Sequence, residues 1–362
     1  MHKTLLVTID YPPSRGGVAT YLLHLARNLP ANKLVVLAPQ ANDNSDHEEF
    51  VVIRKRLLWR RFWPAWLPMI LVTWRAIVVH RIEKLWVSHI LPVGTVALVM
   101  KKLLQVPYVV STHGMDICSA QRSWRKRRLM RTIFSHADMI TANSRFTAKL
   151  LTDFGVAQEK ITILFPCPNP HLEFGENCDL WASLCGARRC TKSTAYSAPR
   201  FQRHISSIFT KLNLLENGRK DGANAPLAPI LLTVGRLVKR KGHDNVILAL
   251  PKILEKIPNL LYVIVGDGEN KYSLEELVEE RKLQKSVYFA GNVTDEELAH
   301  WYKQADIFIM PAREINGDVE GFGIVFLEAA LSRLPVIAGR SGGVSVAVLD
   351  NQTGLVVDPE NI

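Results

Sequence analysis

The sequence predicts an α/β fold with two doubly wound, Rossmann-like domains that face each other across a cleft. The chain has 362 residues, and single hydrophobic cores stop growing at about 250–300 residues, so two domains are expected. Hydrophobic residues make up 48% of the chain, which suffices for two packed cores. Short apolar runs alternate with amphipathic runs in both halves of the sequence. That alternation is typical of βαβ units and a parallel sheet.

The individual elements follow from these runs. In the N-terminal half we expect strands at 4–9, 34–38, 85–89 and 108–112, and helices at 18–29 and 95–104. In the C-terminal half the expected strands are 230–234, 261–265, 287–290 and 306–310, with helices at 244–257 and 273–283. These elements predict an N-terminal domain at 1–170 and a C-terminal domain at 229–362.

Two carboxylates frame a Gly-rich stretch, E-G-F-G-I-V-F-L-E, in the C-terminal half. Its glycines let the backbone approach a ligand, and the apolar run F-L-E-A-A-L predicts a helix whose N-terminus can bind a phosphate. The two carboxylates are eight residues apart, about 12 Å along a helix. They therefore suit separate hydroxyl groups of an elongated ligand, such as a sugar and a ribose joined by a diphosphate. The candidate ligand-binding residues are Glu320, Gly321, Phe322, Gly323, Ile324, Val325 and Glu328. The alternative is a solvated Glu at a helix start followed by an ordinary helical Glu.

A basic loop, G-R-L-V-K-R-K-G, follows the predicted strand 230–234. Open α/β sheets bind anionic ligands at the carboxyl ends of their strands. Arg236 can contact phosphate oxygens through two N–H groups, and Lys241 can act as a mobile point charge. A solvated basic turn is the alternative, since the chain carries a net charge of +11.

Two further motifs lie in the N-terminal half. Gly16 and Gly17 occupy a Pro-rich turn before the predicted helix 18–29, and such a turn presents backbone N–H groups to a phosphate. The alternative is a plain hinge turn. His113 and Asp116 come directly after the predicted strand 108–112. A histidine at that end of a parallel strand would point into the cleft, and a structural histidine is the alternative.

The motifs together resemble glycosyltransferase family 4, whose members are retaining enzymes of the GT-B architecture. The matching N-terminal stretches are D-Y-P-P-S-R-G-G-V at 10–18, V-S-T-H-G-M-D at 110–116 and A-N-S-R-F-T at 142–147. The main C-terminal ones are V-G-R-L-V-K-R-K-G at 234–242, V-I-V-G-D-G at 263–268, F-A-G-N-V at 289–293, A-D-I-F-I-M-P at 305–311 and V-E-G-F-G-I-V-F-L-E-A at 319–329. The resemblance covers nearly the whole chain except about 170–228. Within the family, the pattern is similar to bacterial mannosyltransferases directed to lipids, including the phosphatidylinositol-mannoside type, or to polysaccharides.

The resemblance implies a hexosyltransferase that moves a hexose, with mannose favoured, from a nucleotide-diphosphate sugar to a lipid or polysaccharide acceptor. It favours GDP-mannose over a UDP-sugar as donor. Front-side attack with retention is expected, and a phosphate oxygen of the donor would accept the acceptor's proton. Arg236, Lys241 and helix N-termini would stabilise the charge that develops on the leaving diphosphate.

The resemblance also implies roles for the remaining candidates. His113 would contact the transferred sugar near its reacting carbon, and Glu320 would bind sugar hydroxyls. Glu328 would bind the ribose hydroxyls, and the backbone near Asn292 and Val293 would border the nucleobase. The loop of Gly16 and Gly17 would close over the donor diphosphate. Asp116 would orient His113 or bind the acceptor.

The sequence contains no D-x-D pair and no His/Cys cluster with metal-ligand spacing, so we expect no metal or other cofactor. The nucleotide sugar is a co-substrate. An epimerase-like or degenerate nucleotide-sugar binder is the alternative function, although the presence of Arg236, Lys241, Glu320 and Glu328 argues against degeneration. A glycosidase would also use paired carboxylates, but the adjoining phosphate-type loops favour a transferase. A dehydrogenase lacks support because G-D-G at 266–268 is not a G-x-G-x-x-G motif.

Basic residues cluster in the N-terminal half. The run 54–61 contains five basic residues and the run 122–131 contains six, and both are interleaved with Trp. Around the first lie Trp59, Trp63, Trp66 and Trp74. Basic residues with Trp and Leu suit an anionic membrane surface, and the alternative is a surface helix with aromatic residues in the core. No nucleic-acid motif accompanies the basic runs, so we expect no nucleic-acid partner.

No apolar run is long enough to span a bilayer, since the stretch 62–74 is short and contains two prolines. The first residues read as a strand rather than as a signal peptide. We therefore expect a cytoplasmic protein, peripheral on the inner face of the cytoplasmic membrane.

Three departures from the family pattern stand out. Residues 171–228 predict an irregular insertion that contains Cys178, Cys185 and Cys190 without a matching His. D-P-E-N-I at 358–362 predicts the start of a helix, after which the family continues with helices whose absence would expose apolar surface. After Gly343 the chain has V-S-V-A-V, where the family often has Pro and an acidic residue.

Overall fold

The computed structural model describes residues 2–14, 16–41, 48–59, 61, 63–168 and 228–361. These residues form two sheets in which every strand pair is parallel. The predicted α/β class with two parallel-sheet domains is therefore confirmed. The predicted insertion at 171–228 lies outside the described residues except for residue 228.

The first sheet has seven strands in the order β3-β2-β1-β4-β5-β6-β7. They are β1 Thr4–Val7, β2 Leu34–Pro39, β3 Val51–Lys55, β4 Lys84–Val87, β5 Tyr108–Thr112, β6 Met139–Ala142 and β7 Ile161–Ile163. The helices of this part are α1 Gly17–Arg27, α2 Leu67–His80, α3 Val93–Leu104, α4 Met115–Gln121, α5 Trp124–His136 and α6 Arg145–Asp153.

The alternation of side chains along β1 explains why both faces of this sheet are covered. Leu5 and Val7 belong to one hydrophobic core, and Leu6 between them belongs to another. Successive residues of a strand point to opposite faces, so a continuous apolar run fills both cores. Helix α1 supplies Tyr21 and Leu22 to the Leu6 side. Helices on both faces leave the carboxyl edge of the sheet available to loops.

The second sheet has six strands in the order β10-β9-β8-β11-β12-β13. They are β8 Ile230–Val234, β9 Leu261–Val265, β10 Val287–Gly291, β11 Ile307–Met310, β12 Val336–Gly339 and β13 Leu355–Val357. The remaining helices are α7 His243–Leu254, α8 Lys271–Glu280, α9 Asp295–Gln304, α10 Ile324–Leu331 and the short α11 Val344–Ala347. Helix α9 begins with a capping box, in which Thr294 and Glu297 satisfy each other's backbone N–H groups.

The compact units of the chain are not two continuous segments. The first unit contains Met1–Cys167, Glu314–Ile324 and Ser341–Ala347. The second contains the described part of Pro168–Arg313 together with Val325–Arg340 and Val348–Ile362. Two segments beyond residue 229, which the sequence places in the second domain, thus pack with the first unit.

The helix predicted over F-L-E-A-A-L is present as α10, and two other local expectations were wrong. The spacing of about 12 Å along a helix does not hold for Glu320 and Glu328, because α10 begins at Ile324 and the residues before it are not helical. The Glu320 carbonyl instead accepts a bond from the Gly343 N–H at 2.7 Å, and Gly323 has a φ of 82°, outside the helical region. The segment expected to start a helix at 358–362 forms a turn in its described residues. Within the described part of the chain, no helix is long and apolar enough to cross a membrane.

Candidate functional site

His113 stands at the carboxyl end of β5 and is buried. Its ring Nε2 lies 2.9 Å from the Ser88 carbonyl oxygen. A carbonyl oxygen can only accept, so Nε2 carries the proton and Nδ1 presents a lone pair. The His113 backbone N–H donates to the Asp116 carboxylate at 3.0 Å. The ring is therefore fixed by Ser88, and the main chain beside it is fixed by Asp116.

The environment keeps the His113 ring neutral. Burial, and then the neighbouring His89 ring, lower the pKa of His113 from 6.5 to about 4, although Asp116 opposes the shift. At neutral pH the ring carries no charge, so Nδ1 can accept a hydrogen bond from a ligand hydroxyl.

A second histidine at this sheet edge was missed by the sequence reasoning. His89 follows β4, and its ring centroid lies 5.3 Å from that of His113. Its Nε2 is 3.4 Å from the Asp10 carboxylate, and its Nδ1 is 2.7 Å from the Ser88 hydroxyl. A signal was available in the sequence, because His89 ends the predicted strand 85–89 and parallel strands end at one edge of their sheet.

Gly321 lies against the backbone of His113. A Cβ on Gly321 would clash with the His113 carbonyl oxygen and lie 3.2 Å from the Asn143 amide nitrogen. The adjacent Glu320 is buried, and its backbone N–H lies 3.4 Å from the Ser341 hydroxyl. The structure thus brings Glu320 into one compact unit with His113 and Asp116, from which it is separated by about 200 residues in sequence.

The glycine turn before α1 has open surroundings. Helix α1 begins at Gly17, and a Cβ on Gly16 or Gly17 would meet nothing within 4 Å. The first turn of α1 contains no acidic residue. These N–H groups can therefore approach an anion without competition from a side chain.

In the second unit, the basic loop follows β8 as predicted. Arg236 is exposed, whereas Lys241 is 8% exposed and its stem lies beside Gly235. Residues Lys239–Lys241 form a single 3-10 turn, and Gly242 then takes a left-handed φ of 75°. A Cβ on Gly242 would clash with the Pro311 carbonyl oxygen, so only glycine allows this approach.

Arg313 ties the basic loop to α7, and the sequence reasoning missed it. Its guanidinium donates to the Asp244 carboxylate at 2.5 Å and to the Asn245 side-chain oxygen at 2.6 Å. Its backbone N–H donates to the Arg240 carbonyl at 2.8 Å. Beside Asp244, His243 is buried, and burial lowers its pKa to about 4. These contacts fix the start of α7 directly behind the loop.

Glu328 projects from α10 and is only 5% exposed. The hydroxyl of Tyr302, on α9, donates a 2.8 Å hydrogen bond to its carboxylate. Burial, and then the charge of Glu328, raise the pKa of Tyr302 well above its usual value. The sequence reasoning did not find Tyr302, which is 26 residues from Glu328.

The other predicted residues of the second unit also follow strand ends. Asn292 is exposed and Val293 half-buried just after β10, and Val325 lies in the first turn of α10. Because β10, β8 and β11 belong to one parallel sheet, their loops share its carboxyl edge.

The remaining predicted residues belong to the first unit. Phe322 is buried against Phe165, with ring centroids 6.2 Å apart. Gly323 leads into Ile324, where α10 begins. In the described residues no group of three or more His, Cys, Asp or Glu side chains could hold a metal ion.

Both halves of the chain match protein families. Residues 15–170 match the model described as Glycosyltransferase Family 4, and residues 216–362 match that described as Glycosyl transferases group 1. A GDP-mannose-dependent alpha-(1-6)-phosphatidylinositol monomannoside mannosyltransferase of Mycolicibacterium smegmatis is 30% identical over 99% of this chain and 86% of the relative. A GDP-mannose-dependent monoacylated alpha-(1-6)-phosphatidylinositol monomannoside mannosyltransferase of Corynebacterium glutamicum is 28% identical over 99% and 86%.

Solved structures share the fold. Anabaena Alr3699/HepE in complex with UDP-glucose has a TM-score of 0.72 at 18% identity, covering 99% of this chain and 86% of that one. Sucrose-phosphate synthase from Thermosynechococcus elongatus has a TM-score of 0.71 at 19% identity, again over 99% and 86%. At such low identities the likeness shows the fold alone.

Proposed function

This chain belongs to glycosyltransferase family 4, and we propose that it transfers mannose from GDP-mannose to a lipid-linked acceptor with retention at the anomeric carbon. It is a glycosyltransferase with two parallel-sheet α/β domains of the GT-B type. The observation that carries the choice of donor and acceptor is the similarity, over 99% of the chain, to the two GDP-mannose-dependent transferases. A polysaccharide acceptor is the second candidate, because it would present the same attacking hydroxyl group.

On the donor side, the basic loop is assigned to the diphosphate. Arg236 is exposed at the end of β8 and can bind phosphate oxygens through two N–H groups. Lys241 is buried with its ammonium near Gly235, where a charge is worth more than in water. The two cations would stabilise negative charge on the leaving GDP. Removing one preorganised donor of this kind typically costs about 100–1,000-fold in rate.

Glu328 is assigned to the ribose hydroxyls, and the backbone at Asn292 and Val293 to the edge of the nucleobase. A buried carboxylate is a strong hydrogen-bond acceptor, and it discriminates against ligands that lack the matching hydroxyl. The burial of Glu328 and its anchored carboxylate support this assignment.

The transferred sugar is assigned to His113 and Glu320. The lone pair on His113 Nδ1 would accept a hydrogen bond from a sugar hydroxyl. The neutral His113 ring would not repel the positive charge that develops at the anomeric carbon. Glu320 would bind hydroxyls and favour the same charge. Asp116 would orient the His113 backbone, which it already contacts, and Gly16 and Gly17 would offer N–H groups to the diphosphate.

The chemical step requires no protein base. The bond between the anomeric carbon and the phosphate oxygen breaks, and its electron pair leaves with GDP. A bond from the acceptor oxygen forms on the same face of the sugar, and the acceptor's proton moves to a phosphate oxygen. We infer that no metal takes part, which predicts undiminished transfer in excess EDTA.

We also propose that the protein binds an anionic membrane surface through α2. Leu67, Leu71, Trp74 and Val78 recur at helical spacing on one side of α2, and each is 46% to 70% exposed. Trp63 just before the helix is 95% exposed, and Arg75 beside the stripe is exposed. An apolar stripe with Trp and Arg suits the headgroup layer of a bilayer. Such binding would place the enzyme at the inner face of the cytoplasmic membrane, beside a lipid acceptor.

Vesicle sedimentation tests the membrane proposal. Leu71→Glu should weaken binding to phosphatidylglycerol-containing vesicles about tenfold or more, because the Leu71 side chain would no longer be transferred from water into the lipid. Leu349→Glu is the matched control, because it makes the same change at an exposed leucine of the second unit, outside α2. Equal binding by both variants would exclude α2 as the contact.

Calorimetric titration with GDP and with UDP, without metal, tests the donor. We expect GDP to bind more tightly, and Glu328→Ala to weaken it by about 1–3 kcal/mol. Transfer of radiolabelled mannose from GDP-mannose into lipid extracts or polysaccharide then identifies the acceptor. Binding of neither nucleotide would refute the proposed activity of this chain and leave a non-transferring relative.

A further inference from the structure

The carboxylate of Glu328 accepts a hydrogen bond from an aromatic residue of a different helix. We propose that Tyr302 is a positioning residue for the transfer reaction, fixing the Glu328 carboxylate so that the protein selects ribose over deoxyribose nucleotides. This inference rests on the proposed function, in which Glu328 binds the ribose. It adds a residue outside the Glu320–Glu328 motif.

A carboxylate at 5% exposure needs a strong donor, because burying an ionised group without hydrogen bonds is costly. The Tyr302 hydroxyl lies 2.8 Å from the Glu328 Oε2, which is a charge-assisted hydrogen bond. Tyr302 is itself fully buried. The pair is thus shielded from water, and the bond fixes the position of the Oε2 atom.

The Tyr302 hydroxyl is fixed because its ring is packed. The ring centroid lies 6.1 Å from that of Phe308 on β11, and Phe308 meets Phe326 on α10 edge-to-face at 5.8 Å. Three aromatic rings therefore join α9, β11 and the helix that carries Glu328. Motion of the hydroxyl relative to the carboxylate would require repacking of this cluster, which close-packed interiors resist.

The hydroxyl also stays a donor. Burial and the charge of Glu328 raise the pKa of Tyr302 well above its usual value, so the phenol keeps its proton at neutral pH. The positioning bond does not depend on pH near neutrality.

The test compares ribonucleotides with dideoxynucleotides in Tyr302→Phe. We would measure the affinities of GDP and 2′,3′-dideoxy-GDP by calorimetry and take their ratio within each variant, so that a lower folded fraction cancels. Tyr262→Phe is the matched control, because Tyr262 is also a fully buried tyrosine of the second unit and its hydroxyl contacts Thr233 at 2.9 Å. We expect the wild-type preference for GDP to fall about tenfold in Tyr302→Phe, as for a lost bond to a charged group, and to persist in Tyr262→Phe.

The outcomes separate this inference from the function on which it rests. A preference for GDP that survives in Tyr302→Phe overturns the role of Tyr302 and leaves Glu328 as the ribose ligand. No preference in the wild type overturns the ribose role of Glu328 and this inference with it. In a Glu328→Gln background, Tyr302→Phe should no longer change the ratio, and a further change there would show that Tyr302 acts by another route. If Tyr302→Phe does not fold, p-fluorophenylalanine at position 302 fills the same volume without a donor and gives the same comparison.

Discussion

Acidification should destabilise the protein through two buried histidines, His113 and His243, one in each compact unit. Burial lowers the pKa of each from 6.5 to about 4. In the unfolded chain both rings take up a proton as the pH falls through 6.5, whereas in the folded chain they do so only near 4. The stability associated with the neutral rings is therefore complete above pH 6.5 and is lost as the pH falls toward 4.

The size of the loss follows from the two pKa values. Proton linkage predicts that each histidine lowers the free energy of unfolding by about 2 kcal/mol at pH 5 and by about 3 kcal/mol at pH 4, relative to neutral pH. A typical domain has only about 5–15 kcal/mol of stability. At pH 5, where most surface carboxylates are still ionised, each histidine would therefore remove a large share of the free energy of unfolding of its own unit.

Urea denaturation at pH 7 and pH 5 measures this loss, with His243→Gln as the test variant. Because one titrating ring is removed, the free energy of unfolding should fall between pH 7 and pH 5 by about 2 kcal/mol less than in the wild type. His136→Gln is the control, since His136 is exposed, and it should behave as the wild type does. Amide hydrogen exchange of β9 would report on the second unit separately. A His243→Gln protein that loses as much stability as the wild type would refute the reasoning.

Three further changes have defined expectations. Arg313→Ala removes the cation that binds Asp244, so unfolding should cost about 2–3 kcal/mol less and calorimetry should show weaker GDP binding as the basic loop loosens. Gly321→Ala places a methyl group against the His113 carbonyl, which should cost about 1–3 kcal/mol of stability and slow mannose transfer more than it lowers GDP affinity. Thr294→Ala deletes the cap of α9 and should lower thermal stability by about 1 kcal/mol without changing the ratio of GDP to dideoxy-GDP affinity.

Strand positions were predictable because buried parallel strands are continuous apolar runs. The runs 108–112, 230–234 and 261–265 coincide with β5, β8 and β9. The segments that could bind ligand were also visible, because glycines and charges stand out at strand ends. Whether they perform the assigned roles stays a prediction until the variants are measured.

The partners of these segments could not be read from the sequence. Tyr302 is 26 residues from Glu328, and Arg313 is 69 residues from Asp244. Such pairs depend on which strands become neighbours, and no local periodicity encodes that. The non-helical path of Glu320 was unpredictable for a similar reason, since its carbonyl bonds to Gly343, a contact made after the chain has passed through β12.

The split composition of the first unit affects how the chain is made. Most of this unit is complete at Cys167, but the segments Glu314–Ile324 and Ser341–Ala347 also belong to it. At about 5–20 residues per second, a ribosome needs roughly 10 to 40 seconds to proceed from Cys167 to Ala347. During that interval the nascent unit lacks the peptide that covers the backbone of His113. Holdase chaperones should therefore bind ribosome-stalled chains that end before residue 314 and release those that extend beyond residue 347.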